Sequence, residues 1–352
     1  MKKVLYIDPF SSEGHKNFNE IYLKSLSNLK LDLTCVFRDK YFEELHFKNK
    51  KIRLFEIPKK YYKGDGNSFF NRVEMIKILR YIKKEINFKN FDKIILAAYD
   101  GIALYFSFIK EEMILVNHNN LSGLDNKIKL FFFKQNSKRN IHLVFEDYMK
   151  EFVNSIGITK VIKVNHGLPD KFKVNGDLSP TSLSDLKIEQ YSSLIFVPSS
   201  SSSDVFFLDK LINNSFFQNY LNNNNILLIV KGDFKAVNNQ NIQIINKYLS
   251  KNEYRYLFVK SSMIIIKYPV SFKNRTSAVF LECVANDKIA LISKIETFNE
   301  LASKINYNPY FAKIDELINK IDVNLKNPPL EPYVDKQEFN VDISKIFKAG
   351  VL

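Results

Sequence analysis

The 352-residue sequence carries a formal charge of +14 and only two cysteines, Cys35 and Cys283, both within apolar runs, which excludes a disulfide-built secreted scaffold and reads as buried thiols in a reducing compartment. No stretch approaches the ~20 apolar residues that span a bilayer, no metal-ligand cluster stands out, and MKKVLYIDPF runs straight into a strand with an apolar run too short for a signal sequence. A cytoplasmic location is therefore expected.

The length allows two domains of ~100 to 200 residues each. The basic excess sits mainly in the first, since residues 1 to 170 hold 30 Lys plus Arg against 20 Asp plus Glu, a net of +10. Such a half suits nucleic acid, an anionic membrane face or phosphate-bearing substrates, and charge alone does not choose among them.

Strands and helices alternate through the first half. Val4 to Asp8 predicts a strand, Glu20 to Leu29 a helix, and Leu31 to Arg38 and Ile52 to Ile57 two more strands. This order predicts a parallel sheet with crossover helices and ligands beyond the carboxyl ends of the strands. The loop after the first strand holds Gly14 and His15 without a dinucleotide fingerprint; Gly14 permits close approach of a ligand that His15 would touch, and a bare turn is the other reading. Arg72 to Ile86 has one apolar stripe, Met75, Ile78, Leu79, Ile82 and Ile86, and predicts a sheet-covering helix with a solvated basic face.

Strands at Lys93 to Ala98 and Met113 to Val116 end at Asp100 and at His118, on one sheet edge, so both residues point to one crevice. Asp100 also suits a helix cap and His118 a hydrogen-bonded structural histidine. DNKIKLFFFKQNSKR, Asp125 to Arg139, sets three phenylalanines among basic residues. If exposed, they form a wedge that fits an anionic bilayer; if the helix covers the sheet, at least two are core. Ile141 to Phe145, a helix over Glu146 to Ile156 closed by Gly157, and Val161 to Val164 then lead to His166 and Gly167.

Residues 173–190 read as a linker between a first domain, 1–172, and a second, 191–327, with a tail at 328–352. Strands follow at Ser193 to Val197, before Pro198 and five serines, and at Ile226 to Val230, before Lys231. Helices are expected near Phe298 to Ile305 and Ile314 to Ile321.

Between them lies IIIKYPVSFKNRTSAVFLECVANDKIALIS, Ile264 to Ser293. Two buried-strand runs flank Asn274, Arg275, Thr276 and Ser277, which open a helix over Ala278 to Val284. A helix starting after a strand turns free N–H groups and its positive dipole end toward the sheet edge, where Arg275 would add a phosphate donor. Glu282, close to two turns after Arg275, suits a sugar hydroxyl.

This segment resembles the nucleotide-sugar element of GT-B glycosyltransferases of the glycogen-synthase-like and lipopolysaccharide-type retaining families, which runs Glu, seven residues, Glu. Glu282 occupies the place of the second Glu, which binds the donor ribose. Asn274 stands where the first would be, and Asn286-Asp287 replaces a small residue and Gly.

The resemblance implies two Rossmann-like domains facing across a cleft, with a tail returning to the first. It places Ser199, Ser200, Lys231, Arg275, Thr276 and Ser277 at the donor diphosphate, and Gly14, His15 and His166 at the cleft or acceptor. His118 and Asp100 become the active-site candidates. Metal and resident cofactor are not required, because Lys231 and Arg275 can neutralise the leaving diphosphate. The implied function is sugar transfer from a nucleotide-diphosphate donor to a growing bacterial surface glycan on a lipid carrier, with the basic first domain docked on an anionic membrane. A sugar-nucleotide epimerase, a catalytically silent GT-B subunit and, less favoured, a nucleic-acid-binding protein remain as rivals.

Overall fold

A computed structural model describes residues 1–45, 51–62, 68–173, 181–198 and 203–348. The chain forms two compact units. The first contains Met1–Gly167, Asn274–Thr276 and the chain from Phe339; the second contains Leu168–Lys273 and Ser277–Glu338.

The first unit is built on β1 (Lys2–Ile7), β2 (Leu31–Arg38), β3 (Arg53–Ile57), β4 (Lys93–Leu96), β5 (Ile114–Val116), β6 (Ile141–Val144) and β7 (Val161–Lys163). Their spatial order is β3-β2-β1-β4-β5-β6-β7, with every pair parallel. Helices α1 (Lys16–Ser27), α2 (Ser68–Glu85), α3 (Gly101–Phe106), α4 (Lys127–Ser137) and α5 (Asp147–Ser155) cover it.

Side chains alternate across the strands, so Val4 and Tyr6 join one core with Phe18, Tyr22, Met149 and Val153, while Leu5 and Ile7 join another with Met75, Ile78, Leu79 and Leu104. Burial on both faces is why these strands read as unbroken apolar runs. The strand order reverses between β1 and β4, and the carboxyl ends of those two strands are where such sheets leave a crevice.

The second unit holds β8 (Ser193–Val197), β9 (Ile226–Lys231), β10 (Ile242–Ile245), β11 (Met263–Ile266), β12 (Ile289–Ser293) and β13 (Tyr310–Phe311) in the order β10-β9-β8-β11-β12-β13, again all parallel. Helices α6 (Val205–Ile212), α7 (Ser215–Asn223), α8 (Lys251–Lys260), α9 (Ala278–Ala285), α10 (Asn299–Ala302) and α11 (Ile314–Lys326) accompany it. The described part of the expected linker is not an extended tether: it forms two 3₁₀ turns, Thr181–Leu186 and Ile188–Gln190, with Leu183 and Ile188 buried. After α11 the chain ends in a short turn, α12 (Lys345–Lys348), whose Ile346 is buried with Ile343 in the first unit's core.

Candidate active site

Asp8 follows β1 at the crevice of the first sheet, fully buried. Its carboxylate is nevertheless satisfied. Oδ1 accepts the N–H groups of Phe10 at 3.1 Å and Ser11 at 2.9 Å, and Oδ2 accepts Asn19 Nδ2 at 2.8 Å and pairs with His15 Nδ1 at 3.2 Å. Burial pushes the Asp8 pKa up, but the hydrogen bonds from His15, Asn19 and Ser11 and the His15 charge outweigh it and hold the carboxyl below its ordinary value. Asn19 is fixed in turn by Tyr6 Oη, which donates to its Oδ1 at 2.6 Å.

The His15 ring stacks on His118, centroids 4.9 Å apart, and His118 meets Phe18 edge-on at 4.4 Å. His166 packs against Phe18 and Phe145 with its centroid 6.2 Å from that of His118. Three histidines from three separate loops therefore meet, because β1, β5 and β7 end on the same edge.

Burial, followed by the neighbouring His15 and His166, drives the His118 pKa well below its ordinary value. Its Nε2 lies 3.1 Å from the Ala97 carbonyl. A carbonyl only accepts, so Nε2 carries the proton of the neutral ring and Nδ1 is left as an acceptor. Burial likewise lowers His166 to about 4.

A cavity of about 420 Å³ opens here, lined by Ser12, His15, Arg72, Tyr99, Asp100, His118, Asn119, Asn120, Ser122 and Lys129 among others. Asp100 has a structural duty as well as a place in the lining. Its Oδ1 caps α3 by accepting Ala103 N–H at 2.8 Å, and its Oδ2 accepts Arg72 Nε at 3.1 Å. Gly14 is outside the lining, and a Cβ there would meet nothing within 4 Å, so the fold itself does not demand glycine. His166 stands behind the lining rather than in it.

Arg275 and Thr276 make contacts in the first unit. Arg275 Nε donates to Ser122 Oγ of the cavity wall, Tyr148 Oη donates to the Arg275 carbonyl at 2.6 Å, and Thr276 Oγ1 donates to Met149 Sδ at 3.8 Å. Asn274, buried just before them, adopts φ +58°. Asn tolerates this left-handed conformation better than Glu does.

In the second unit Ser277 is the N-cap of α9, accepting Phe280 N–H at 3.2 Å, and its hydroxyl lies 3.1 Å from Tyr268 Oη. Half-buried Glu282 accepts Tyr254 Oη at 2.6 Å. Burial pushes its pKa up to about 7, against the lowering effect of that hydrogen bond and of Arg255. Lys231 closes β9, its Nζ 5.7 Å from the Tyr248 ring centroid. Ser199 and Ser200 lie outside the described residues.

Sequence reasoning passed over Asp8, Arg72, Tyr254 and Lys267. Lys267 directly follows β11, with Nζ over the rings of Phe207 at 4.5 Å and Phe311 at 5.4 Å. Burial lowers its pKa, opposed by Asp204 and Glu316. Lys294 directly follows β12, so three strands of one parallel sheet end in lysine on the same edge. For Asp8 and Lys267 the available signal was the same, a charge terminating a buried apolar strand.

No protein-family model matches the sequence, and no curated protein matches it. Solved structures do resemble the whole chain. An α,α-trehalose-phosphate synthase (UDP-forming) from Burkholderia vietnamiensis aligns with a TM-score of 0.63 at 10% identity over 99% of this chain and 95% of its own. The lipopolysaccharide outer core galactosyltransferase WaaB, in its apo form, gives 0.55 at 13% identity over 99% of each chain. A UDP-GlcNAc 2-epimerase from Methanocaldococcus jannaschii gives 0.62 at 14% identity over 99% of this chain and 100% of its own. Likeness over the full length at such low identity establishes architecture: the chain has the GT-B fold, two parallel α/β units in one polypeptide.

Proposed function

We propose that the chain is a glycosyltransferase that takes a sugar from a nucleotide-diphosphate donor and passes it to a glycan acceptor. The observation that carries this reading is the carboxyl edge of the second sheet, where Lys231, Lys267 and Lys294 end β9, β11 and β12, with Glu282 on the helix after β11. β11 and β12 are neighbours, about 4.8 Å apart, and β8 separates β9 from β11, so three of the four central strands of this sheet end in a cation on one edge. Charge grows on the leaving diphosphate during transfer, which is where fixed cations contribute most. Glu282 is suited to a ribose hydroxyl.

In that cavity His118 presents a neutral acceptor nitrogen that orients a sugar or acceptor hydroxyl. His15, held by Asp8, has the arrangement of a general base. Charge neutralisation by Lys and Arg makes the transfer independent of metal in this reading. The acceptor is a growing bacterial surface glycan, a reading that draws on the galactosyltransferase among the structural neighbours, and the work is done in the cytoplasm. Among the described residues no helix is long and apolar enough to cross a membrane.

The epimerase among the neighbours supplies the second reading, in which the cavity's histidines move protons on a sugar that stays attached to its nucleotide. Incubation with UDP-, GDP-, ADP- and CMP-linked sugars separates the two. Transfer releases the nucleotide, and Lys267→Ala and Glu282→Ala slow that release; epimerisation changes the sugar and releases nothing. A folded chain that consumes none of these donors in the presence of glycan acceptors overturns the proposal.

A further inference from the structure

Helix α4 turns only part of its apolar surface to the sheet. Leu130 and Phe133 pack toward the core, and the other buried side chains, Asn136 and Ser137, are polar and satisfied inside: Asn136 Nδ2 donates to the Gly101 carbonyl at 2.7 Å, and Ser137 Oγ to the Phe133 carbonyl at 2.7 Å. The apolar residues at i, i+3 and i+4 spacing face outward. Ile128 is 63% exposed and Phe131 51%, while Phe132 is half-buried.

The outward face continues onto α3. Phe132 meets Tyr105 at 5.1 Å, Phe106 at 5.5 Å and Phe131 at 5.2 Å between ring centroids. Next comes Phe108, 60% exposed and held at φ +56°, a conformation that costs a bulky residue of order 1 kcal/mol or more. The protein holds a strained phenylalanine out in water.

Charge around this aromatic surface is mainly positive, with Glu112 beside Tyr105, Phe108 and Lys138 at one margin. Residues 101–110 and 126–140 contain six Lys or Arg and no Asp or Glu. Lys127, Lys134 and Lys138 repeat at i, i+7 and i+11 along one stripe of α4, beside that of Ile128 and Phe131. Arg80 of α2 lies 5.3 Å from the Phe108 ring. An apolar helix face bordered by lysines matches the interface of an anionic bilayer, where rings enter the acyl boundary and ammonium groups stay at the phosphates.

The geometry points to the α3–α4 face of the first unit as a docking surface for an anionic membrane, with Phe108, Ile128 and Phe131 inserted and Lys127, Lys134 and Lys138 on lipid phosphates. The same two helices supply Gly101, Ile102, Lys129 and Phe133 to the cavity wall, so docking brings the cavity to the bilayer. This deepens the transfer reading by making the acceptor lipid-linked, yet vesicle binding needs no donor, so either reading can fail without the other.

The chain has no tryptophan, so Phe131→Trp installs a single reporter on this face and Val323→Trp, at an exposed site of α11, a control. With phosphatidylglycerol-containing vesicles F131W emission shifts to the blue and V323W emission does not; with phosphatidylcholine alone neither shifts. In co-sedimentation at low salt, Lys134→Ala and Lys138→Ala each lower partitioning about fivefold, and Phe131→Ser abolishes it. Absence of vesicle binding, equal shifts for both reporters, or a Phe131→Ser variant that binds normally overturns the proposal. So does a face that instead joins two copies, seen as a dimer that F131S dissociates without any vesicle binding.

Discussion

His15 Nδ1 and the Asp8 carboxylate lie 3.2 Å apart at the end of β1, with the carboxylate fully buried and the imidazole at the cavity wall. A buried anion with four hydrogen-bond partners is a fixed point from which the ring's orientation is set. Asp8→Asn keeps the shape but cannot accept at both oxygens, so it destabilises the fold by about 2–4 kcal/mol. It also lowers transfer more than His15→Asn does in the Asp8→Asn background, because the two act as a unit. Since the folded pKa of Asp8 is depressed, its contribution to stability is present above ~3.9, the unfolded value, and is lost as pH falls through the folded one. Denaturant melts of wild type and D8N between neutral pH and pH ~3 check this; an unchanged acid limb in D8N contradicts it.

His118 and His166 are held neutral by burial, His166 down to about 4. Unfolding frees both to protonate near their ordinary ~6.5. Stability therefore falls as pH drops from ~6.5 toward the folded pKa values, by up to about 1.4 kcal/mol per pH unit for each ring. His166→Phe removes one such contribution and flattens the slope. Melting curves at pH 7, 6 and 5 measure it, and parallel slopes for the variant and wild type would count against the burial.

Glu282 has the opposite sign. Its pKa is raised to about 7, so its contribution is fully present below the unfolded ~4.3 and is lost as pH rises through 7. Glu282→Gln, which keeps a neutral partner for Tyr254, should make stability less sensitive to pH between 5 and 8. Glu282→Ala should weaken nucleotide binding about tenfold, ~1.4 kcal/mol. Urea melts and equilibrium binding read the two effects separately.

Gly167 adopts φ +88°, and a Cβ there would come within 2.5 Å of Val341 Cγ2 and 2.6 Å of Ile21 Cγ2. Gly167→Ala combines left-handed strain with overpacking and costs about 2–4 kcal/mol. Gly14→Ala, where a Cβ meets nothing, should leave the melting temperature nearly unchanged. Equal melting temperatures for the two variants would contradict the packing around Gly167.

Much of this architecture was legible where burial is complete. The runs Leu31–Arg38 and Ser193–Val197 predict β2 and β8 to the residue, because strands covered on both faces carry apolar side chains at most positions. Residues 203–260 were harder. Asn-rich stretches obscure α7, whereas the start of α8 carries a capping box, Ser250–Glu253, whose signature stands in the sequence. The expected helix over Phe298 to Ile305 is only a 3₁₀ turn and α10, since Ile305 leaves to bridge Tyr333.

The site was legible as strand ends, not as partnerships. Loop histidines at 15, 118 and 166 could be placed on one edge, but Asp8 was absorbed into its strand and Arg72 into a solvated basic face. The FFF run divides residue by residue: Phe133 is core, Phe132 half-buried and Phe131 exposed. Periodicity alone does not tell which side of a helix faces the sheet when the inward residues include Asn and Ser beside Leu130 and Phe133.

The most direct test is equilibrium binding of UDP, GDP and ADP to the full chain and to Lys267→Ala. One of the three should bind the wild type, and the variant should bind it at least tenfold more weakly, a loss of about 1.4 kcal/mol or more. If none binds at millimolar concentration, or if Lys267→Ala binds as tightly as wild type, the lysine-bearing edge of the second sheet is not a diphosphate site.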